Sequence, residues 1–250
     1  MNRKQFIEYL DSYLNTPLIK DFCPNGLQIE GKEGIEKAAT AVSANKETIE
    51  KAVEAKVDAL IVHHGLFWSR DPYPIVGTKR EKIHLLLEHG ISLLAYHLPL
   101  DAHQLVGNNW KAANDLGWKE CQPFGILNDV SLGVKGIFSP IPIEQFISEL
   151  ENYYQHGATA ALGGKKIIQS AALVSGGAYK EVNRAAEEGV DCFITGHFDE
   201  PAWNIAHEEK IHFLALGHSA TERVGPKALA HHIQSQLEIP CAFIDVPNPF

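Results

Sequence analysis

Three short segments of this sequence combine histidine with a second histidine or a carboxylate, and each follows an apolar run. They are His63-His64-Gly65 after DALIV, His97 to Asp101 after SLLAY, and His218 to Glu222 after FLALG. In open α/β sheets, ligands bind at the carboxyl ends of the strands, so side chains at these positions can converge although they are distant in sequence. We therefore expect the three segments to contribute to one site.

The chemistry of these side chains predicts a metal centre. Imidazole nitrogen and carboxylate oxygen together suit zinc, iron, manganese or nickel, whereas calcium prefers oxygen ligands alone. Two adjacent histidines at a strand end point in different directions, so two neighbouring ions can take one each. The sequence thus predicts two divalent ions per chain, bound by five ligands: His63, His64, Asp101, His218 and Glu222.

His97 is not needed as a ligand and lies four residues before Asp101. It is a candidate catalytic residue, acting as a general acid or base, and it could equally hold a ligand in place or have a structural role. The pair His231-His232 lies in a helix-like segment, and we expect it on a solvated helix face.

The elements that must position these residues alternate between strand and helix. Residues 38–43, 57–62 and 91–96 have the short apolar runs of buried strands, and helical spacing separates them. The rhythm recurs after residue 170, where VDCFITGH corresponds to VDALIVHH of residues 57–64. We predict an internally duplicated α/β fold, with two similar three-layer α/β/α domains at 1–125 and 126–250, a linker near residues 121–125, and the metal site between the domains.

Composition restricts the remaining classes. The 250 residues carry a net charge of −9, which disfavours broad binding to nucleic acid. The four cysteines form no C-x-x-C pair, and no run approaches the length of a membrane span, so we expect a cytoplasmic protein with reduced thiols. A phosphate-binding loop and a G-x-S-x-G nucleophile motif are absent from the sequence.

Several longer motifs resemble those of one known family. They are PNGLQIEG, ALIVHHGLFW, LLAYHLPLDAH followed by Asn108-Asn109, VSGG, DCFITGH and GHSATERVG. In order and spacing the chain is similar to the Nif-three-like dinuclear metal-centre proteins, also called the type-two GTP cyclohydrolase I family. The resemblance implies a duplicated α/β fold, a metal pair bound by the same five ligands, and a ring-shaped homohexamer.

The predicted function is that of a metal-dependent hydrolase. Its substrate would be a small molecule, either GTP, as in a cyclohydrolase that acts on carbon–nitrogen bonds, or another nucleotide or heterocycle. The alternative is a non-catalytic metal-binding ring or adaptor protein. Residues 67–79, an insertion rich in aromatic residues and proline, could line a substrate mouth or form an oligomer contact.

Overall fold

The computed structural model describes residues 1–127 and 130–250. The helices are α1 (Arg3–Tyr13), α2 (Lys46–Glu54), α3 (Gly77–Glu88), α4 (Leu98–Ala102), α5 (Asn108–Asp115), α6 (Ile143–Tyr154), α7 (Val182–Glu187), α8 (Glu200–Glu208), α9 (His218–Thr221) and α10 (Val224–Leu237). The strands are β1 (Gly26–Ile29), β2 (Ala38–Ser43), β3 (Ala59–His64), β4 (Ser92–Ala95), β5 (Lys119–Leu127), β6 (Val130–Pro142), β7 (Thr159–Leu162), β8 (Ile167–Leu173), β9 (Cys192–Thr195), β10 (His212–Ala215) and β11 (Cys241–Phe243). Among the described residues, no helix is both long and apolar enough to cross a membrane.

Two compact units make up the chain. The first comprises Met1–Val106 and Gly225–Pro247, and the second comprises Gly107–Val224 and Asn248–Phe250. These units do not coincide with the predicted repeats, 1–125 and 126–250. Strand β11 pairs with β2 of the first sheet, whereas residues that follow Val106 pack in the core of the second unit.

The first unit is built on a five-stranded sheet in the order β1-β4-β3-β2-β11. Strands β2, β3 and β4 run parallel, and β1 is antiparallel to β4. Alternate residues of β3 belong to different cores. Ala59 and Ile61 pack in a cluster that includes residues of α1 and α10, and Leu60 and Val62 pack in a cluster that includes residues of α2 and α3. Helices therefore cover both faces, which explains why β3 reads as a continuous apolar run.

The second unit contains a six-stranded sheet in the order β5-β6-β8-β9-β10-β7. Strands β8, β9 and β10 run parallel, and β7 is antiparallel to β10. Helices α5 and α6 contribute residues to the core on one face, while α7 contacts β9 and α8 contacts β10. Phe193 and Phe213 are fully buried, with ring centroids 5.7 Å apart.

The topology of the first unit thus recurs in the second. Each has three parallel strands in succession, with an antiparallel strand beside the third. This confirms the predicted two-domain α/β fold. The predicted linker near residues 121–125 is wrong, because these residues form part of β5, which pairs with β6 over most of its length.

Candidate metal centre

His63 is the last residue but one of β3 and is fully buried. Its Nδ1 lies 3.1 Å from the carbonyl oxygen of Tyr96, the residue that follows β4. A carbonyl oxygen only accepts hydrogen bonds, so Nδ1 carries the proton and the lone pair of the neutral ring is on Nε2. That Nε2 lies 3.7 Å from Oδ1 of Asp101. The sheet therefore presents the ring in the tautomer and orientation that a metal ligand needs.

His64 is half-buried and turns its Nδ1 toward the neighbouring strand. The register of the parallel pair places it opposite Ser43, whose Oγ is 3.1 Å from His64 Nδ1. Both histidines of the strand end thus have Nδ1 in a polar contact, so Nε2 is the ring nitrogen of each that would bind a metal ion.

His97 and Asp101 belong to the segment that follows β4, where His97 directly precedes helix α4. Asp101 lies in α4, is 7% exposed, and donates its backbone N–H to the carbonyl oxygen of His97 at 3.2 Å. One ring nitrogen from each of His63, His64 and His97 lies within 4.8 Å of the others. The structure therefore places His97, the predicted catalytic residue, among the predicted ligands of the first unit.

The segment before β1 holds His97 in place through Asp21 and Asn25. Asn25 belongs to the PNGLQIEG motif, whereas no sequence motif includes Asp21. His97 Nδ1 is 2.8 Å from Oδ1 of Asp21, and Asp21 Oδ2 accepts the backbone N–H of Leu98 at 2.9 Å. Asn25 donates to Asp21 and accepts the backbone N–H of His97. Burial raises the pKa of Asp21, but these hydrogen bonds and the charge of His97 outweigh it and lower the pKa to about 2. Asp21 is therefore an ionised carboxylate that orients the His97 ring.

Gln28 holds the chain that follows His64 in place. Its Oε1 accepts the backbone N–H of Leu66 at 2.7 Å, and its Nε2 donates to the carbonyl oxygen of Pro24 at 3.0 Å. A Cβ at Gly65 would lie only 2.4 Å from the Gln28 amide, so a larger residue would displace Gln28 from these two hydrogen bonds. The third residue of the His-His-Gly motif thus has a packing function.

The beginning of the predicted insertion contacts these rings. The Trp68 ring centroid is 5.1 Å from that of His97, nearly perpendicular to it, and 5.8 Å from that of His64. An aromatic side chain beside two imidazoles excludes water from them. This contact is consistent with the substrate-mouth interpretation of residues 67–79.

In the second unit, His218 begins the short helix α9, which follows β10, and Glu222 comes directly after that helix. His218 Nε2 is 3.2 Å from Glu222 Oε1. The Glu222 side chain is 4% exposed, whereas that of His218 is 42% exposed. A buried carboxylate paired with an accessible imidazole is a second mixed nitrogen and oxygen donor set.

A glycine loop after β8 surrounds this pair. Gly176 has φ +68, and a Cβ on it would lie 2.4 Å from Glu222 Oε1 and 3.3 Å from His218 Nε2. A Cβ on Gly196 would lie 2.6 Å from the Cα of His218. Backbone therefore lies where side chains would otherwise block the donors, and this explains Gly176, the first glycine of VSGG, and Gly196, the glycine of DCFITGH.

Hydrogen bonds fix the loop against its surroundings. Asn109 Oδ1 accepts the backbone N–H of Ser175 at 2.7 Å, and its Nδ2 donates to the carbonyl oxygen of Leu132 at 2.8 Å. The hydroxyl of Thr221 accepts the backbone N–H of Gly176 at 3.1 Å. Asn109 and Thr221 therefore position the loop, and both belong to family motifs of the sequence, Asn109 to the pair Asn108-Asn109 and Thr221 to GHSATERVG.

The predicted ligands fall into two sets, one in each unit. His63, His64 and Asp101 belong to the first, and His218 and Glu222 belong to the second. The donor types, the oriented Nε2 of His63 and the glycine cradle at Glu222 all fit a divalent ion of the zinc, iron, manganese or nickel type.

A family model for Duf34/NIF3, NGG1p interacting factor 3, matches residues 1–249. The chain belongs to the Duf34/NIF3 family. The predicted resemblance is thereby confirmed.

Relatives of this Duf34/NIF3 chain are similar along its whole length. It is 52% identical to a protein of Chlamydia pneumoniae and 37% identical to one of Escherichia coli, both named GTP cyclohydrolase 1 type 2 homolog, with full coverage of both chains. Among solved structures it resembles a protein from Thermus thermophilus, TTHA1606, with TM-score 0.93, 35% identity and full coverage of both chains. HcgD from Methanocaldococcus jannaschii, at 23% identity and TM-score 0.86 over 98% of each chain, shares the Duf34/NIF3 fold.

Proposed function

We propose that this chain is a metal-dependent hydrolase that binds two divalent ions through His63, His64, Asp101, His218 and Glu222. One observation carries the proposal. In both units an imidazole Nε2 lies close to a carboxylate oxygen beyond the central parallel strands, at 3.7 Å in the first and 3.2 Å in the second. Such paired donors at strand ends are typical of metal sites in α/β proteins.

Divalent ions at these donors would polarise a substrate oxygen and lower the pKa of water. The protein itself orients the donors. The carbonyl oxygen of Tyr96 fixes the tautomer of His63, and Ser43 lies against Nδ1 of His64. Gly176 leaves room for Glu222 beside His218. These contacts are made in advance, so the donors need little rearrangement when an ion binds.

His97 is the candidate for proton transfer. Its Nδ1 is held by Asp21 at 2.8 Å, which leaves Nε2 to hold or release a proton toward a substrate atom. The arrangement of an imidazole oriented by a buried carboxylate recurs in enzymes that use histidine as an acid or base. Trp68 beside the ring limits access of water to it.

The substrate class that we propose is a nucleotide or another small heterocycle. The curated relatives carry the name GTP cyclohydrolase 1 type 2 homolog, which refers to GTP as substrate and to hydrolytic cleavage of a carbon–nitrogen bond. Apolar and aromatic side chains close to the donors, such as Trp68 at the histidines, suit a flat ring.

A turnover screen tests the proposal. The full-length protein is freed of metal with a chelator, reconstituted with zinc, iron, manganese or nickel, and incubated with a panel of nucleotides and cyclic amides. We expect turnover of at least one substrate to require metal and to be lost in His64→Ala. His231→Ala, which removes an exposed histidine of α10, serves as the matched control and should retain activity.

Two outcomes would contradict the proposal, one for the activity and one for the role of His64. If no substrate turns over faster with metal than without it, the protein is better described as a non-catalytic metal-binding ring or adaptor. If His64→Ala and His231→Ala turn over equally, His64 is not part of the reacting centre.

A further inference from the structure

A fully buried tyrosine connects the donors of the first unit with helix α1. Tyr96 directly follows β4 and is 0% exposed. Its backbone N–H donates to the carbonyl oxygen of Val62 at 2.9 Å, and its own carbonyl oxygen accepts the Nδ1–H of His63 at 3.1 Å. The next residue in the chain is His97, whose ring is held by Asp21. The position of the Tyr96 backbone therefore affects where both imidazoles lie.

The side chain of Tyr96 reaches α1. Its ring belongs to the same core cluster as Phe6 and Leu10 of that helix. Its hydroxyl donates to Oδ1 of Asp11, which is also in α1, at 2.9 Å. Hydrogen bonds thus attach the two ends of one buried residue to different elements, the hydroxyl to α1 and the backbone to β3.

Stability alone does not account for the pair of Asp11 and Tyr96. Burial raises the pKa of Asp11, and the hydrogen bond from Tyr96 opposes this only partly. Burying the carboxyl group therefore costs free energy, and apolar side chains at two such positions are often at least as stable. A satisfied polar contact in a core instead makes it rigid and specifies one arrangement. The arrangement specified here is that of Tyr96, whose carbonyl oxygen orients His63.

The chain beside Asp11 leaves room for its carboxyl group. Gly26 begins β1, pairs with Ala95 of β4 and has φ +88. A Cβ on Gly26 would lie 3.3 Å from Asp11 Oδ1, which is tighter than an ordinary contact. The residue before it, Asn25, accepts the backbone N–H of His97. The carboxyl group therefore lies where β1 and β4 meet, next to the segment that holds His97.

We propose that Asp11 is a positioning residue of the metal centre, which acts through the Tyr96 hydroxyl to hold the Tyr96 carbonyl oxygen against His63. Nδ1 of His63 then keeps its proton, and Nε2 keeps the lone pair that binds an ion. The role of the ring as a metal ligand rests on the proposed function, whereas its tautomer is observable without any metal.

Nitrogen-15 NMR of the histidine rings in the metal-free, full-length protein tests the proposal, because the chemical shifts of Nδ1 and Nε2 report which nitrogen carries the proton. Spectra are recorded at about pH 8, where an ordinary imidazole is neutral. The signals of His63 are identified by their absence from the spectrum of His63→Gln. We expect one tautomer in the wild type, protonated at Nδ1, and a mixture of both tautomers in Tyr96→Phe.

Zinc affinity provides the second readout, measured by competition with a chromophoric chelator. It should fall roughly 10-fold in Tyr96→Phe, at the lower end of the effects found for groups that orient a ligand. Asp11→Ala should behave as Tyr96→Phe does, whereas Asp11→Asn keeps an oxygen that accepts from Tyr96 and should retain the wild-type tautomer and affinity. The double variant Asp11→Ala/Tyr96→Phe should be no worse than either single one, since both remove the same contact.

Tyr153→Phe is the matched control. It removes a hydrogen bond of the same type, from the Tyr153 hydroxyl to Asp115 at 2.8 Å in the second unit, and should change neither the tautomer of His63 nor the zinc affinity. An equal loss of zinc affinity in Tyr153→Phe would assign the effect to general destabilisation and would overturn the proposal.

The tautomer of His63 decides the role of Asp11. A folded Tyr96→Phe or Asp11→Ala protein in which His63 is still protonated at Nδ1 alone would overturn the proposal, whatever its zinc affinity. Circular dichroism shows which variants are folded, and Asp11→Ala makes the same test if Tyr96→Phe does not fold, because Asp11 is only partly buried. If the wild type binds no zinc, the proposed metal centre fails, and the tautomer in Asp11→Ala still tests the positioning.

Discussion

Replacing Gly176 by alanine tests how the second unit presents its donors. The new Cβ would lie 2.4 Å from Glu222 Oε1, whereas ordinary contacts of a Cβ begin near 3.4 Å. Glu222 must therefore move by about 1 Å, which exceeds the roughly 0.2 Å tolerance of metal–ligand distances. The φ of +68 adds about 1–2 kcal/mol of strain for a residue that has a Cβ.

We expect Gly176→Ala to bind zinc roughly 10–100-fold more weakly than the wild type, since changes beside a ligand commonly have this effect. Affinity is measured by competition with a chromophoric zinc chelator, and the free energy of unfolding by urea titration of the metal-free protein. The unfolding measurement separates the strain in the backbone from the displacement of Glu222.

Two glycines of the same unit provide matched controls. Gly189 has φ +72 but open space around the position of a Cβ, so Gly189→Ala should lose stability and keep its zinc affinity. A Cβ on Gly177 would be 3.6 Å from His218, an ordinary contact, so Gly177→Ala should change neither quantity much. If Gly176→Ala binds zinc as tightly as the wild type, or if Gly189→Ala loses as much affinity, the cradle argument is refuted.

Further predictions concern acid stability, metal content, proton transfer and assembly. The pKa of Asp21 is about 2 in the folded protein against 3.8 ordinarily, so its ionised form stabilises the fold at neutral pH by roughly 2 kcal/mol, and this stabilisation is lost as the pH falls from about 4 toward 2. The free energy of unfolding of Asp21→Asn, measured by urea titration at each pH, should therefore fall less over that range than that of the wild type. An equal fall in the two proteins would contradict this. Elemental analysis of reconstituted protein should give close to two ions per chain, and Asp101→Ala or Glu222→Ala should lose metal while circular dichroism shows a retained fold; one ion or fewer per wild-type chain would count against the five-ligand proposal. His97→Ala should lower kcat by roughly 10²–10⁴-fold with unchanged metal content if His97 transfers a proton, and a parallel loss of metal would instead make it a ligand. Light scattering should show a homohexamer, and a monomer at micromolar concentration would disprove the ring.

The central strands and the site-bearing segments could be predicted because their signals are local. The apolar run of β2 fixes its bounds at Ala38–Ser43 as predicted, and the histidines at the end of β3 follow directly from the run before them. The repeated strand pattern also predicted the two-domain α/β fold. Each of these features depends on a few consecutive residues whose burial is uniform.

Other features depend on pairs of residues that are far apart in sequence. Asp21 contacts a ring 76 residues later, and nothing in its own neighbourhood indicates that partner. His232 was expected on a solvated face, yet it is half-buried, with its ring 3.8 Å from that of Tyr13 and its Nε2 2.8 Å from the Tyr9 hydroxyl. The solvated-face interpretation is therefore correct for His231 only. Helical periodicity located α10 but did not reveal that α1 packs in the same core.

The membership of α10 and β11 in the first unit has a consequence for biosynthesis. The second unit is, in chain order, largely an insertion into the first, whose sheet acquires β11 only when residues near 243 have been made. Until then, Phe6 and Leu10 of α1 lack the partners Leu229 and Ile233 with which they share a core. On the ribosome the second unit has nearly all of its sequence before the first can close, so the part of the protein that is synthesised first is the part that finishes folding last.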